Sequence, residues 1–203
     1  MTRPNRRPLV IPALLAVLAL PMFLIAQDAP RPPTTFLGLS LSSYLVSDKV
    51  FEEVYGGAGA MRGLVFTQRL VGAANFALDA ALDIRNYAKT GASTLSQVEA
   101  RLKIKPISLG LEGSLTRGIA ILWMGLGLDL TSYAEESELQ NTTGSTFGFH
   151  VAGGLALQPV RSFPLRIKLH LRWTKAGAMV NEIPVELGGP EYGLALLYGF
   201  RLF

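Results

Sequence analysis

Cysteine is missing from all 203 residues, which excludes a disulfide framework and any thiolate metal site. Charge is scarce as well. Asp, Glu, Lys and Arg make up 17% of the chain, where soluble domains carry about 25%. Histidine occurs only twice, at His150 and His170. No HxxxH pair, GxSxG elbow or paired-carboxylate arrangement appears, so no catalytic residues, metal site or cofactor are expected. No basic run carries interleaved aromatics, which argues against a nucleic-acid partner. Beyond residue 34 no apolar run reaches the length of a membrane helix, and no amphipathic helix stands out.

Apolar residues are abundant, at 49% of the chain, and mean hydropathy is +0.33. Part of this lies in residues 1–26, where Arg3, Arg6 and Arg7 precede an uncharged apolar run ending at Ala26. A basic head, an apolar middle and a small final residue predict a signal peptide cut after Ala26. Pro12 and Pro21 interrupt the run, which disfavours a retained helical anchor. Residues 27–34, with Pro30, Pro32 and Pro33, read as an extended linker. Residues 27–203 then carry 16 basic against 15 acidic residues, a near-neutral balance.

From residue 35 onward the pattern has period two. Eight segments alternate, near 35–45, 58–67, 74–85, 95–105, 118–131, 146–157, 165–175 and 191–203. The seventh is the plainest. Leu165, Ile167, Leu169, Leu171 and Trp173 alternate with Arg166, Lys168, His170 and Arg172. Each segment has about ten residues or more, the length of a bilayer-crossing strand and longer than a typical soluble one. Residues 105–118 extend the fourth segment, form a long turn, or add a strand. Eight is kept, because an odd count is unusual in bacterial barrels.

Alternation alone fits two barrels: a soluble one, wet outside with an apolar cavity, and a transmembrane one of the reverse polarity. Large aliphatic residues on one face favour the transmembrane form. So do the small residues on the other, since all 21 glycines lie beyond residue 26. Signal peptide, eight alternating segments and the ending YGFRLF together resemble the small eight-stranded outer-membrane barrels of the OmpA-, OmpX- and OmpW-like group. The resemblance covers about residues 35–203. It implies an all-β, antiparallel up-and-down transmembrane barrel in the bacterial outer membrane, with the lipid bilayer and lipopolysaccharide as surroundings. It also implies that Tyr198, Phe200 and Phe203 belong to the C-terminal signal read by the barrel-assembly machinery.

On that reading the interior holds Asp79, Asp83, Glu99 and Asp129. Its basic partners are Arg62, Arg85, Arg101, Lys103, Arg166, Lys168, Arg172 and Arg201, with His150 and His170 also facing inward. Such charges must be paired or hydrated; Asp79 or Glu99 with Arg101 or Arg166 are candidate pairs. The network is either a structural plug or a porin-like path for small anions, and the narrow bore of eight strands favours the plug. Residues 46–57, 86–94, 132–145 and 176–190 read as long external loops. Their acids (Asp48, Glu52, Glu53, Glu135, Glu136, Glu138, Glu182, Glu186) form either a solvated face or a rim holding divalent cations shared with lipopolysaccharide. A structural or surface-interaction role is expected first, a narrow pore or carrier second, and lipid modification third.

Overall fold

The computed structural model describes residues 33–73, 75–92, 99–137, 141–158, 164–180 and 183–201. The expected signal peptide, most of the expected 27–34 linker, Glu138, Glu182 and Phe203 lie outside them. Eight antiparallel strands close into a barrel: β1 (Thr35–Tyr44), β2 (Gly59–Gly72), β3 (Phe76–Ala92), β4 (Glu99–Arg117), β5 (Ala120–Ser137), β6 (Asn141–Leu157), β7 (Leu165–Lys175) and β10 (Gly189–Phe200). Neighbours in sequence are neighbours in the sheet, and β1 pairs with β10 from Thr35↔Phe200 to Tyr44↔Glu191. Closure gives each of the eight strands a hydrogen-bonded neighbour on both sides through the body of the barrel. Residues 105–117 resolve as the continuation of the fourth strand, which runs 19 residues, and Gly118 turns the chain into β5.

Alternation dictates the two surfaces. Leu39, Met124, Leu126, Leu128 and Leu171 point outward and are 65–72% exposed, whereas Asp129 and Thr35, of the opposite parity, are 0% exposed. All eight strands contribute to this apolar belt, far beyond what a water-facing protein of this size exposes.

Two elements were not legible as such. The loop after β1 contains a short helix, α1 (Lys49–Tyr55), and the loop after β7 a hairpin, β8 (Gly177–Val180) paired with β9 (Ile183–Glu186). Asp48 caps α1 by accepting from the Phe51 N–H at 3.3 Å. Gly56, at φ 69°, closes it in the left-handed conformation that glycine adopts without strain.

The supposed long loops 86–94 and 132–145 are mostly strand. β3, β5 and β6 continue through residues 86–92, 132–137 and 141–145. These extensions, with α1 and the hairpin, form an upper storey whose polarity is reversed. Its inward side chains are apolar: Tyr44, Met61, Tyr87, Leu102, Ile104, Tyr133 and Leu187 form one buried cluster, with Phe51 and Val54 of α1 against it. Its outward side chains are polar or small. Each strand keeps its parity while the polarity inverts, at Leu64/Arg62, Ile84/Asn86, Ile107/Lys105, Leu130/Ser132 and Phe147/Ser145.

α1 is tied down on several sides. Tyr55 donates to Glu135 at 2.5 Å, Lys89 donates to the carbonyls of Gly57 and Ala58, and Asp48 accepts from the Glu186 N–H at 3.2 Å. Burial pushes the hydroxyls of Tyr44, Tyr55 and Tyr87 above the ordinary tyrosine range, and the bond to Glu135 adds to this for Tyr55. The folded state therefore keeps protons that an unfolded chain releases near pH ~10. Their contribution is whole below that pH and fades as pH climbs through the folded values. Ultraviolet phenolate titration should show a late-ionising fraction, and Tyr→Phe at 44, 55 and 87 should diminish it. Ionisation of every phenol together near pH ~10 would contradict the burial.

Candidate functional site

The inward side chains of the lower storey fill the bore in three ionic levels. The uppermost joins seven strands. Arg85 on β3 donates to Glu191 on β10, to Ser108 on β4 at 2.7 Å and to Asp129 on β5 at 3.3 Å. Glu191 also accepts from Ser42 at 2.6 Å and lies 3.4 Å from His170 Nε2. Asp129 accepts from Ser108 and faces His150 Nδ1 at 3.1 Å through its other oxygen. Arg172 bonds Asp83 across the lumen and reaches Ser108 at 3.3 Å. In the next level Lys168 donates to both oxygens of Glu112, at 2.6 and 2.7 Å, with its ammonium 3.6 Å from the centre of the Trp123 ring. In the lowest, Arg69 pairs with Asp79 at 3.1 Å, and Arg166 lies over Phe36 at 3.9 Å while donating to Gln158.

Small residues make this filling possible. A Cβ on Gly127 would stand 2.6 Å from His150 Cε1 and closer still to the Leu109 carbonyl oxygen. Three voids among these side chains measure about 10, 20 and 10 Å³, room for single waters.

Asp79, Asp83, Asp129, Arg166, Lys168, His170 and Arg172 therefore sit in the lumen as the alternation predicts. Glu99, Arg101 and Lys103 do not. They lie on the outer face of β4 in the upper storey, where the inward positions belong to Ala100, Leu102 and Ile104. Apolar residues there mark the inside, because water surrounds the strand. Arg62 is outward for the same reason, opposite Leu41 and Asn86. Arg201 follows the end of β10 and is exposed. Asp79 takes Arg69 as its partner, in place of the expected Arg101 or Arg166.

Arg69, Glu112 and Glu191 are additions. Glu191 shares the parity of Gly193 and Ala195, a signal available in the sequence; Glu112 was hidden in the unassigned 105–118 stretch. Tyr198 faces outward and Phe200 ends the last strand. The acidic rim is largely occupied in tying the upper storey together. Glu186 accepts from the N–H groups of Ala176 and Gly188, and Glu136 pairs with Lys103, whose hydrogen bond holds its carboxyl below the usual range. Among the described residues no group of three or more His, Asp or Glu could hold a metal ion.

Three solved structures align over most of their length. Neisserial surface protein A matches with a TM-score of 0.61 at 12% identity, covering 82% of this chain and 97% of that one. Ail, the attachment invasion locus protein of Yersinia pestis, matches at 0.51 and 13% identity, covering 83% and 99%. This chain has the fold of a small eight-stranded outer-membrane β-barrel. The N-terminal β-barrel domain of Pseudomonas aeruginosa OprF agrees, at 0.51 and 12% identity over 84% and 100%. No protein-family model and no curated protein matches by sequence. A barrel of this kind is specified by alternation and closure, which many unrelated-looking sequences satisfy.

Proposed function

We propose that this protein is exported by its signal peptide, inserted into the bacterial outer membrane by the barrel-assembly machinery acting on the Tyr198–Phe203 end, and retained there as a sealed barrel. Its role is structural and surface-interactive: the lower storey anchors and the upper storey is displayed. The observation that carries this reading is the pairing of a continuous apolar exterior with an interior filled by interlocked ion pairs. Backbone groups inside hydrocarbon must be satisfied internally, and a closed ring of strands does so. Lipid and lipopolysaccharide are then its immediate surroundings.

A pore is the lesser reading, because the voids hold only single waters and the apolar cluster beneath α1 closes the upper mouth. Catalysis is not assigned. Ser108 and His150 bond different oxygens of Asp129, so the imidazole is not placed to activate the hydroxyl.

Isolated outer membranes test the proposal. The chain should remain there, resist SDS unheated and change mobility after boiling, and planar bilayers should show no discrete conductance. Recovery as a detergent-free periplasmic protein would overturn the membrane reading, and reproducible channel steps would overturn the sealed one.

A further inference from the structure

The outer face of the upper storey is not uniform. Arg62, Arg101 and Lys105 are exposed on β2 and β4, with Lys103 beside them at 31% side-chain exposure. Asn86 on β3 pairs with Arg62 and lies between the Ile84↔Ile107 and Tyr87↔Ile104 pairs, beside Lys105. Arg62 and Lys105 are thus one strand apart on each side of Asn86, about 10 Å across two strand spacings. On β5 and β6 the outward positions level with Lys105 and Lys103 are Ser132, Ala134, Thr143 and Ser145, which carry no charge, while Glu136 stands opposite Arg101. The cations therefore form a patch on one flank, not a ring.

Its height is fixed by the polarity switch. On β2 the residue two places below Arg62 on the same face is Leu64; on β4 the one below Lys105 is Ile107. Two residues of strand span roughly 6–7 Å. An anion held by these cations would have apolar protein surface directly beneath it. That suits an amphiphile whose charged head stands above its chains, and suits a soluble anion or a nucleic acid poorly. Among the described residues neither Arg62 nor Lys105 has an acidic partner within ion-pair distance. Lys103 is paired with Glu136, but an exposed pair of this kind is weak and readily exchanged. A guanidinium and ammonium groups together fit phosphate oxygens.

We propose that the outer faces of β2, β3 and β4 form a binding site for a phosphorylated glycolipid of the external leaflet. Arg62 and Lys105 take its phosphates, Lys103 and Arg101 extend the contact outward, and Leu64, Ile84 and Ile107 receive its acyl chains. This site rests on the membrane reading above.

The test uses the folded full-length mature chain in phosphatidylcholine vesicles doped with bis-phosphorylated lipid A or with its dephosphorylated form. Lipid retained through detergent exchange is counted by mass spectrometry. The wild type should retain the phosphorylated lipid at least ~10-fold better. Arg62→Ser with Lys105→Ser should lose that preference, while Arg62→Lys with Lys105→Arg should keep it. Equal retention of both lipids by the wild type, or an unchanged preference in the double serine variant, would overturn the site. Insertion is read separately by heat-modifiable mobility in vesicles of phosphatidylcholine alone. Failure there sinks the membrane reading; insertion without preference sinks only the lipid site.

Discussion

Glu191→Ala is expected to lower the unfolding free energy of the detergent-folded barrel by about 3–5 kcal/mol, the cost of breaking a buried ion pair from one side. Glu191 is the point where β1, β3, β7 and β10 meet: it accepts from Ser42 and Arg85 and faces His170. Without it the Arg85 guanidinium, 4% exposed, keeps Ser108 and Asp129 but loses its strongest counter-charge. The loss should arise from the stranded cation more than from the missing contacts. Replacing both Arg85 and Glu191 by leucine should therefore be less harmful than Glu191→Ala, because no uncompensated ion remains. Guanidinium titrations followed by tryptophan fluorescence measure both. A Glu191→Ala cost under about 1 kcal/mol, or a double variant worse than the single, would show that the lumen is hydrated enough to screen its charges.

Leu169→Arg should destabilise the bilayer-inserted barrel by about 2–4 kcal/mol, and Leu41→Arg, at the last apolar position of β1, by about 0–1 kcal/mol. Leu169 is outward and 47% exposed, flanked across the ladders by Leu155 and Leu194. An arginine there must drag its charge into hydrocarbon or reach for the surface. The neighbouring Lys168 points the other way, and alternation alone predicts that Lys168→Leu is far better tolerated. The structure changes that expectation, because Lys168 holds both oxygens of Glu112. Lys168→Leu should be costly through the abandoned carboxylate, and Glu112→Leu in the same chain should rescue it; no second lumen change should rescue Leu169→Arg. Equilibrium urea unfolding in phosphatidylcholine vesicles distinguishes the two. Rescue of Leu169→Arg by a lumen substitution, or equal penalties at 41 and 169, would reverse the assignment of inside and outside.

The barrel strands were legible because period-two alternation is a local property, and the outward sets of β1, β5, β7 and β10 follow from it directly. What alternation cannot carry is the identity of the solvent on each face. Glu99, Arg101 and Lys103 look like lumen residues if apolar always means outward. They are external because β4 has left the hydrocarbon by Lys105 and turned its apolar set, Leu102 and Ile104, toward a dry interior. Strand ends were short for the same reason: the pattern persists through 86–92 and 132–137, but its polarity no longer matches. Pro106 marks this junction; with no N–H to give, it interrupts the β3–β4 ladder between the 84↔107 and 87↔104 pairs. α1 has only seven residues, too few for a helical period to emerge, and is held by Asp48, Gly56 and the apolar cluster below it. Arg201 had the right parity but no strand left to aim it.

The inversion of polarity along single strands also acts as a depth gauge. If the barrel sank by two residues, Lys105 and Arg62 would be drawn into oil on the same flank. If it rose by two, Leu64, Ile107, Leu130 and Phe147 would be lifted into water. Either displacement is opposed at several strands at once, so the molecule's vertical position is set by its own side chains without a collar or a partner to hold it.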